Sequence, residues 1–393
     1  MLIRYKNGQQ GVDSVAKIYT KEEHHIDKAL IDKDAVRAIR RLTTNGHEAY
    51  IVGGAVRDIM LNKIPKDFDI ATDASPRQVK KLFYHARVIG KRFKIVHLVY
   101  PDKILEVTTF RSLEEAEIGK SNVFGTIEED AKRRDFTLNS LYYQPEKEQL
   151  LDFNEALKDI KKKKICSVVP LSYSFIEDPV RMIRAIKYSV TTGFKLAFSV
   201  SIAIKRNRRN LAGVSNSRLT EEVFKILSSG YSAKIFKKLD NFGLLVYILP
   251  CFSIYTNYPQ VFESLNKLDI DISKLKADET ETEVKKAEMF KALTEAIIVN
   301  TPGDFTPEER FKDIFQQMKV FISPITPPNL DLERAVFLYM KENEITIPKS
   351  KQPNKISKIK VIEKKKKKPI QYNKKNKKHK TNYPAKSIST DSK

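Results

Sequence analysis

The sequence predicts an α+β protein in which a small mixed head precedes an all-helical region and a disordered basic C-terminal tail. Strand-like runs alternate with helical segments up to about residue 130, and the apolar spacing is mostly helical from Asp130 onward. Large apolar residues are sparse in 349–393, so burial cannot offset the entropy of ordering this stretch. The rest of the 393-residue chain can form a sizeable core, since 41% of all residues are apolar.

Short sequence signals place the elements of the head, which we expect over 31–150 after a poorly patterned leader (1–30). A helix over 35–46 ends at Asn45-Gly46, a pair typical of helix C-caps. Ser75-Pro76 is an N-cap followed by a proline at the first helical position. The other elements are expected as follows: a strand over 49–52, a helix over about 55–62, a strand containing 67–69, and strands in 86–90, 94–100 and 104–110.

Helical spacing continues through the rest of the ordered chain. Helices are expected in 135–143, 178–194, 217–230 and 232–250. We divide this part into a helical neck (151–250) and a helical body (251–348). The sequence contains no internal repeat at a fixed period.

A strong excess of basic residues indicates a polyanionic partner. The chain has 72 Lys and Arg against 49 Asp and Glu, a net charge of +23, and 349–393 alone has 17 Lys against two acidic residues. Lysines near phosphates release counterions, so this tail can hold RNA or DNA without recognising its sequence; a solubility role is the alternative. The lysines expected to contact RNA are Lys364, Lys365, Lys366, Lys367, Lys368, Lys374, Lys375, Lys377 and Lys378.

Cysteine usage and the lack of a long apolar run exclude several classes of protein. The chain has two Cys and six scattered His, so neither a disulfide framework nor a zinc module is expected. The N-terminus has no apolar signal region, and no run approaches the roughly 18 apolar residues of a membrane span. We therefore expect a cytoplasmic protein without a membrane segment, and the sequence leaves the oligomeric state open.

Two carboxylates, Asp67 and Asp69, are candidates for a metal site. Residues two apart on a strand face the same side about 7 Å apart, so both carboxylates can reach one metal site. Phe68 and Ile70 are then expected to face the core. A single D-x-D pattern is weak by itself, because exposed strands contain such pairs by chance.

Three nearby features strengthen this hypothesis. Gly53-Gly54 lies between an apolar strand and a helix, where backbone N–H groups can hold a phosphate; a tight turn that requires glycine is the structural alternative. Arg57 on that helix can add positive charge to an anion site. Glu106 lies among strand-like apolar residues and can supply a third carboxylate to a two-metal centre.

Four motifs occur in one order along the chain: GGAVRD (53–58), DFD (67–69), RRDFTLN (133–139) and EDPVRMIRA (177–185). With them, the chain from about residue 40 to about 250 resembles the nucleotidyltransferase family that contains bacterial poly(A) polymerases and class II CCA-adding enzymes. The resemblance implies a polymerase-β-type head followed by helical neck, body and tail regions. It also implies template-independent addition of nucleotides to RNA 3′ ends, with two Mg²⁺ ions, for which Mn²⁺ can substitute.

The matching positions assign roles to single residues of the head. Asp67 and Asp69 match the metal-binding carboxylates, and Glu106 matches the third. Asp135 and Asn139 lie one turn apart on the predicted helix 135–143, where they would share a face. The residues that the resemblance implies in nucleotide binding are Gly53, Gly54, Arg57, Arg134, Asp135, Asn139, Glu177, Asp178 and Arg181.

In the neck, the E-D-x-x-R element is implied to recognise the nucleobase. Asp178 and Arg181 lie three residues apart and can present an acceptor and a donor to one base; a surface ion pair is the structural alternative. Arg218 and Glu222 are implied to brace the neck helices rather than to contact substrate.

One element departs from the family pattern. The family usually has a hinge of the form D-P-x-G-G after RRDF, whereas this chain has Asp152-Phe153-Asn154-Glu155-Ala156. Asp152 matches, but the absence of glycine calls the flexibility of this hinge into question.

The segment 88–100 favours a poly(A) polymerase over a CCA-adding enzyme. Gly90, Lys91, Arg92 and Phe93 fit a pattern similar to that of bacterial poly(A) polymerases; a basic turn before a strand is the structural alternative. We therefore expect transfer of AMP from ATP to RNA 3′ ends, with CCA addition to tRNA as the alternative. A non-catalytic RNA-binding protein on the same scaffold is a remote alternative, against which the intact acidic motif argues.

Overall fold

The head is built around a nine-stranded mixed sheet in the computed structural model. Across the sheet, neighbouring strands are antiparallel except β4 and β7, which are parallel, and the order is β1-β2-β9-β8-β3-β4-β7-β6-β5. The structure describes residues 2–8, 11–90, 95–113, 124–274, 279–300 and 302–351. The strands are β1 (Leu2–Gly8), β2 (Gly11–Tyr19), β3 (Ala49–Val52), β4 (Asp69–Thr72), β5 (Ala86–Ile89), β6 (Ile95–Val99), β7 (Ile104–Thr109), β8 (Leu141–Gln144) and β9 (Gln149–Asp152).

Helices cover the sheet and form the rest of the chain. Those of the head are α1 (Lys21–His24), α2 (Lys33–Thr44), α3 (Gly54–Met60), α4 (Pro76–Leu82) and α5 (Ile127–Lys132). They are followed by α6 (Ala156–Lys161), α7 (Leu171–Glu177), α8 (Val180–Thr192), α9 (Phe198–Asn207), α10 (Asn216–Leu227), α11 (Ser232–Asn241) and α12 (Leu245–Ile248). The last are α13 (Pro250–Ile254), α14 (Pro259–Lys274), α15 (Glu279–Thr294), α16 (Pro307–Phe321) and α17 (Asn329–Glu342). No helix among the described residues is both long and apolar enough to cross a membrane.

The contacts divide the chain into two units, Met1–Ile347 and Pro348–Lys393. All the strands and helices given above lie in the first unit. The predicted tail, 349–393, falls in the second, and beyond Lys351 it lies outside the described residues, together with the nine lysines expected to contact RNA.

The two faces of the sheet bury different apolar clusters. One face packs on α2, α3 and α4 and includes Ile70 and Val107, whereas the other packs on α5 through a smaller cluster that includes Tyr142. Because successive strand residues face opposite sides, Asp69 and Glu106 lie on the second face. The predicted burial of Phe68 and Ile70 is confirmed, since both side chains are buried.

Several predicted boundaries are confirmed. β3 covers the predicted 49–52, and α2 ends at Thr44 with Asn45 as its C-cap and Gly46 at φ +83°. Ser75 caps α4 by accepting the backbone N–H of Gln78, and Pro76 is the first helical residue. These signals are local, so they hold whatever the rest of the chain does.

The predictions for the leader and for residues 135–143 are wrong. The leader is not unpatterned: β1 and β2 form a hairpin that joins the sheet through β9. Leu2, Ile3 and Tyr5 of β1 are all exposed, so the apolar residues of this strand do not alternate with a buried face. The predicted helix 135–143 is a 3₁₀ turn (Thr137–Asn139) followed by β8. β8 is buried along its whole length, and a short apolar run of this kind does not distinguish a strand from a helix.

The turn that replaces the family's glycine hinge has a glycine-like backbone without glycine. Glu155 has φ +55°, in the left-handed region. The buried carboxylate of Asp152 accepts backbone N–H bonds from Asn154 (3.1 Å), Ala156 (2.8 Å) and Leu157 (3.0 Å). The turn is thus held by one carboxylate, and residue 155 retains the conformation that favours glycine.

This conformation predicts an unusual order of stability at residue 155. Glu155→Val should lower the melting temperature by a few degrees, because a β-branched residue is strained at positive φ, whereas Glu155→Gly should melt at or above the wild type. Glu155→Gln is the matched control, since it removes the ion pairs with Lys17 and Lys158 but keeps the side-chain shape. Equal melting of the Val and Gly variants in thermal denaturation would contradict the assignment.

Candidate active site

Strand register brings two of the predicted carboxylates side by side. Asp69 is directly opposite Glu106 in the parallel pair β4 and β7. The sequence placed Asp67 on the same strand as Asp69, but β4 begins at Asp69, so Asp67 is an exposed residue of the preceding loop. The reason is local, since Pro65 and Lys66 precede it in an irregular segment.

Burial and a neighbouring carboxylate make ionisation of Asp69 unfavourable. The pKa of Asp69 is raised to about 6, first by burial and then by the neighbouring charge of Glu106, with Asp67 adding to it and Arg134 opposing it. No three Asp, Glu, His or Cys side chains in the described part of the chain form a complete metal-binding cluster. A Mg²⁺ ion, however, is usually held by one or two carboxylates and completes its shell with water and substrate phosphates. The donors present therefore fit a divalent cation that binds together with a substrate.

The glycine turn lies against this acidic pair. Gly53 has φ +68°, and a Cβ atom placed on it would lie 3.6 Å from Nη1 of Arg134 and 3.8 Å from Oδ2 of Asp69. A Cβ atom on Gly54 would lie 3.6 Å from Nη2 of Arg57. The turn thus passes between carboxylate and guanidinium groups, an environment suited to a phosphate chain that carries metal ions.

Arg134 is held in place by buried hydrogen bonds with Asp130 and Tyr142. Its Nη2 donates to Asp130 (2.8 Å) and its Nε to the hydroxyl of Tyr142 (3.3 Å), and that hydroxyl donates to Asp130 (2.6 Å). Burial acts to raise the pKa of Asp130, but Arg134 and Tyr142 more than offset it, so the pKa lies below its usual range. Asp130 therefore stays ionised and fixes the guanidinium beside Gly53.

A second chain of hydrogen bonds connects the glycine turn to the neck. Arg57 donates to the amide oxygen of Asn139 (3.0 Å), and the amide nitrogen of Asn139 donates to Asp135 (3.0 Å). Asp135 also accepts from Nε of Arg184 on α8 (2.8 Å). Asp135 and Asn139 are in contact, although the helix on which they were predicted to share a face is absent. Their partners place them behind Arg57.

The residues predicted to recognise the nucleobase contact neighbouring helices of the neck. Asp178 accepts a hydrogen bond from Arg218 on α10 (3.0 Å). Arg181 is buried and donates from Nη1 to the backbone oxygen of Ser174 (3.1 Å) and to the carboxylate of Glu177. The expected brace is present in both parts, because Glu222 accepts from Lys187 on α8 (3.0 Å).

Sequence reasoning missed two features. Lys205, Arg206, Arg208 and Arg209 are exposed at the end of α9 and in the 3₁₀ turn that follows it, and the run KRNRR could have revealed them. His97, on β6, lies with Nε2 3.4 Å from Oε1 of Glu106. No sequence signal singles it out, because its neighbour is nine residues away on another strand.

Comparisons with known proteins agree with this geometry. The family model described as "Poly A polymerase head domain" matches residues 49–166, and the one described as "Probable RNA and SrmB- binding site of polymerase A" matches 193–255. Poly(A) polymerase I of Escherichia coli O6:H1 is 36% identical over 252 residues, which is 61% of this chain and 54% of the relative. The CCA-adding enzyme of Geobacillus kaustophilus is 36% identical over 220 residues, 55% of this chain and 54% of the relative.

Over these residues the chain is similar to bacterial poly(A) polymerases and CCA-adding enzymes. It spans about half the length of the curated relatives it matches. The Bacillus stearothermophilus CCA-adding enzyme, solved with CTP, has a TM-score of 0.53 and 26% identity, and the similarity covers 80% of this chain and 83% of that one. The nucleotidyltransferase head match contains the acidic pair and the Arg134 network, and the second match contains the basic run of α9.

Proposed function

We propose that this protein adds AMP from ATP to RNA 3′ ends without a template. The observation that carries the proposal is the register of Asp69 beside Glu106, with the Gly53-Gly54 turn and Arg134 directly against them. This arrangement places carboxylates for metal ions next to cations for a triphosphate, which is what attack of a 3′-hydroxyl on an α-phosphate requires.

Asp67 and Asp69 would hold two Mg²⁺ ions, or Mn²⁺ in their place, with Glu106 as the third carboxylate. Such ions lower the pKa of the RNA 3′-hydroxyl and neutralise charge on the triphosphate and the departing pyrophosphate. The chain's own groups bind and orient: Arg134 and Arg57 face the phosphates at the glycine turn. Catalysis is then mostly positioning and charge stabilisation, and no covalent enzyme intermediate is needed.

The preference for ATP over sequential C, C and A addition is supported by three observations. The similarity to poly(A) polymerase I extends over 252 residues against 220 for the CCA-adding enzyme, although the identity is 36% in both. The segment 88–100 also follows the poly(A) polymerase pattern, although Lys91, Arg92 and Phe93 lie outside the described residues. A +15 tail suits an enzyme that accepts many RNA 3′ ends.

Product sequencing tests this function. The protein is incubated with a tRNA that lacks CCA and with an unrelated RNA, with ATP and CTP supplied separately and together. We expect runs of A on both RNAs, and C should not be required. Addition of C, C and A to the tRNA followed by a stop would establish the CCA alternative. No addition to either RNA would favour the non-catalytic alternative.

Asp178→Ala and Arg181→Ala are each expected to reduce the preference for ATP over CTP more than they weaken triphosphate binding. A site that binds a nucleobase through hydrogen bonds rejects a wrong base because that base leaves a polar group of the protein unpaired. Loss of such a group should therefore reduce the ATP/CTP selectivity more than it reduces binding. The measurement is kcat/KM for ATP and for CTP on one primer. Arg218→Ala is the matched control, because it removes the bond to Asp178 but keeps the carboxylate. If Arg218→Ala changes selectivity as much as Asp178→Ala, Asp178 acts through the brace and not on the base.

Deletion of the chain from residue 349 should keep nucleotide transfer and weaken RNA binding. With a slope of about 0.7 per phosphate contact, four to six engaged lysines would steepen the dependence of log affinity on log salt by roughly 3 to 4. Full-length and truncated proteins should therefore differ at low salt and converge at high salt, with the shortest primers least affected. Equal salt slopes would show that the tail does not hold RNA.

A further inference from the structure

A polar row crosses four strands at the open end of the sheet. Arg87 on β5 is directly opposite His97 on β6, His97 is opposite Glu106 on β7, and Glu106 is opposite Asp69 on β4. Residues in register on adjacent strands have their side chains on the same face. His97 and Arg87 thus lie in line with the acidic pair, between it and the edge of the sheet, and the proposed function assigns neither of them a role.

The order of the strands indicates whether ATP or the RNA primer approaches the acidic pair from the β5 edge of the sheet. The glycine turn follows β3, so the triphosphate side of the site lies on the β3 side of Asp69. In phosphoryl transfer, the attacking and leaving oxygens lie roughly in line on opposite sides of the phosphorus. With the leaving pyrophosphate towards β3, the 3′-hydroxyl must arrive from the other side, over β7, β6 and β5.

We propose that Arg87 binds the 3′-terminal phosphodiester of the RNA primer, and that His97 is a positioning residue that orients Glu106 towards the attacking hydroxyl. The inference rests on the proposed function and adds to it the surface that receives the primer. Arg87 is exposed and lies two strand spacings, about 10 Å, from Glu106. One nucleotide and one arginine side chain together cover that span. His97 is largely covered and contacts Glu106 through Nε2 (3.4 Å), so it acts through the carboxylate.

Steady-state kinetics on a short oligoadenylate primer separates the primer side of the site from the triphosphate side. Arg87→Ala should raise KM for the primer about tenfold, the effect of losing a hydrogen bond to a charged group, while KM for ATP stays at the wild-type value. It should also reduce the salt slope of primer binding by about 0.7, one phosphate contact. Arg77→Ala is the matched control, because Arg77 is an exposed arginine on α4, which packs on the opposite face.

The role of His97 is tested by measuring whether its substitution changes kcat or KM. His97→Leu should lower kcat about tenfold with little change in either KM, and His97→Gln, whose amide can still bond to Glu106, should recover most of the loss. Equal losses for Leu and Gln would overturn the positioning role.

The kinetics of Arg87→Ala and of the wild type also distinguish the alternatives. An Arg87→Ala primer KM equal to that of the wild type overturns the primer site, and a raised KM for ATP places Arg87 on the triphosphate side, which contradicts it. Because the defect concerns the last nucleotide, it should persist on the shortest primers, where loss of the tail has least effect. An inactive wild type in the same assay would refute the proposed function, and direct binding of the oligoadenylate would then still test Arg87.

Discussion

Asp69→Asn is expected to abolish nucleotide addition and, at the same time, to make the metal-free protein more stable. Activity should fall at least 100-fold, the scale on which removal of one key electrostatic group acts. Asp67→Ala should cause a similar loss of activity. Turnover of either variant within tenfold of the wild type would refute the metal assignment.

The gain in stability follows from the raised pKa of Asp69. The pKa is about 6 in the folded protein and near 4 in an unfolded chain, so the folded state binds the proton more tightly. The folding free energy therefore becomes less favourable as pH rises from about 4 to 6, and the cost persists above pH 6. A neutral asparagine avoids this cost, on the order of 2 kcal/mol at pH 7.5. Asp67 is exposed, so Asp67→Ala should bring no such gain.

Thermal melting with and without Mg²⁺ makes the test independent of activity. Mg²⁺ should raise the melting temperature of the wild type, because an ion that binds only the folded state stabilises it, and should raise that of Asp69→Asn much less. The stability difference between the two proteins without Mg²⁺ should be largest above pH 6 and vanish near pH 4. A pH-independent difference would contradict the cause given for the raised pKa.

Arg134→Met is expected to cost about 3–5 kcal/mol of unfolding free energy, because it leaves the buried carboxylate of Asp130 without its counter-charge. Denaturant unfolding measures this loss, which should shrink as the pH falls and Asp130 takes up a proton. Arg134 does most to lower the pKa of Asp130, so without the guanidinium the carboxyl should be protonated more easily.

The double variant Asp130→Asn, Arg134→Met separates stability from catalysis. It should recover a large part of the lost stability, since the unpaired charge is removed, but it should remain inactive, since no cation is left beside Gly53. If the double variant is no more stable than Arg134→Met alone, the buried charge is not the cause of the loss.

The sequence alone predicted those structural features that depend on residues close to one another along the chain. The alternation at Phe68 and Ile70 and the cap at Ser75 are set by local periodicity and local hydrogen bonds, and the structure confirms both. β8 is buried along its whole length and shows no alternation, which is why it was predicted as a helix. The apolar residues of β1 are exposed, which is why the hairpin β1-β2 was predicted as a poorly patterned leader.

Contacts between distant residues could not be predicted. Arg184 meets Asp135 across 49 positions and Arg218 meets Asp178 across 40, and neither residue spacing nor residue type indicates which arginine pairs with which aspartate. The strand-like surroundings of Glu106 and the resemblance of the motifs suggested that it lies near Asp69, but only the strand register places the two side by side. The contact of His97 with Glu106 required the register of β6 on β7.

The parallel pairing of β4 with β7 has a consequence for how the site comes into existence. Parallel neighbours cannot be joined by a tight turn, so the chain leaves β4 and passes through α4, β5 and β6 before it returns as β7. The acidic pair is therefore a non-local product of folding, because it forms only when this long excursion closes. A nascent chain that ends before residue 104 already contains both aspartates of the D-x-D motif and still lacks their partner. The acidic pair therefore requires the pairing of β4 with β7 and not the D-x-D motif alone.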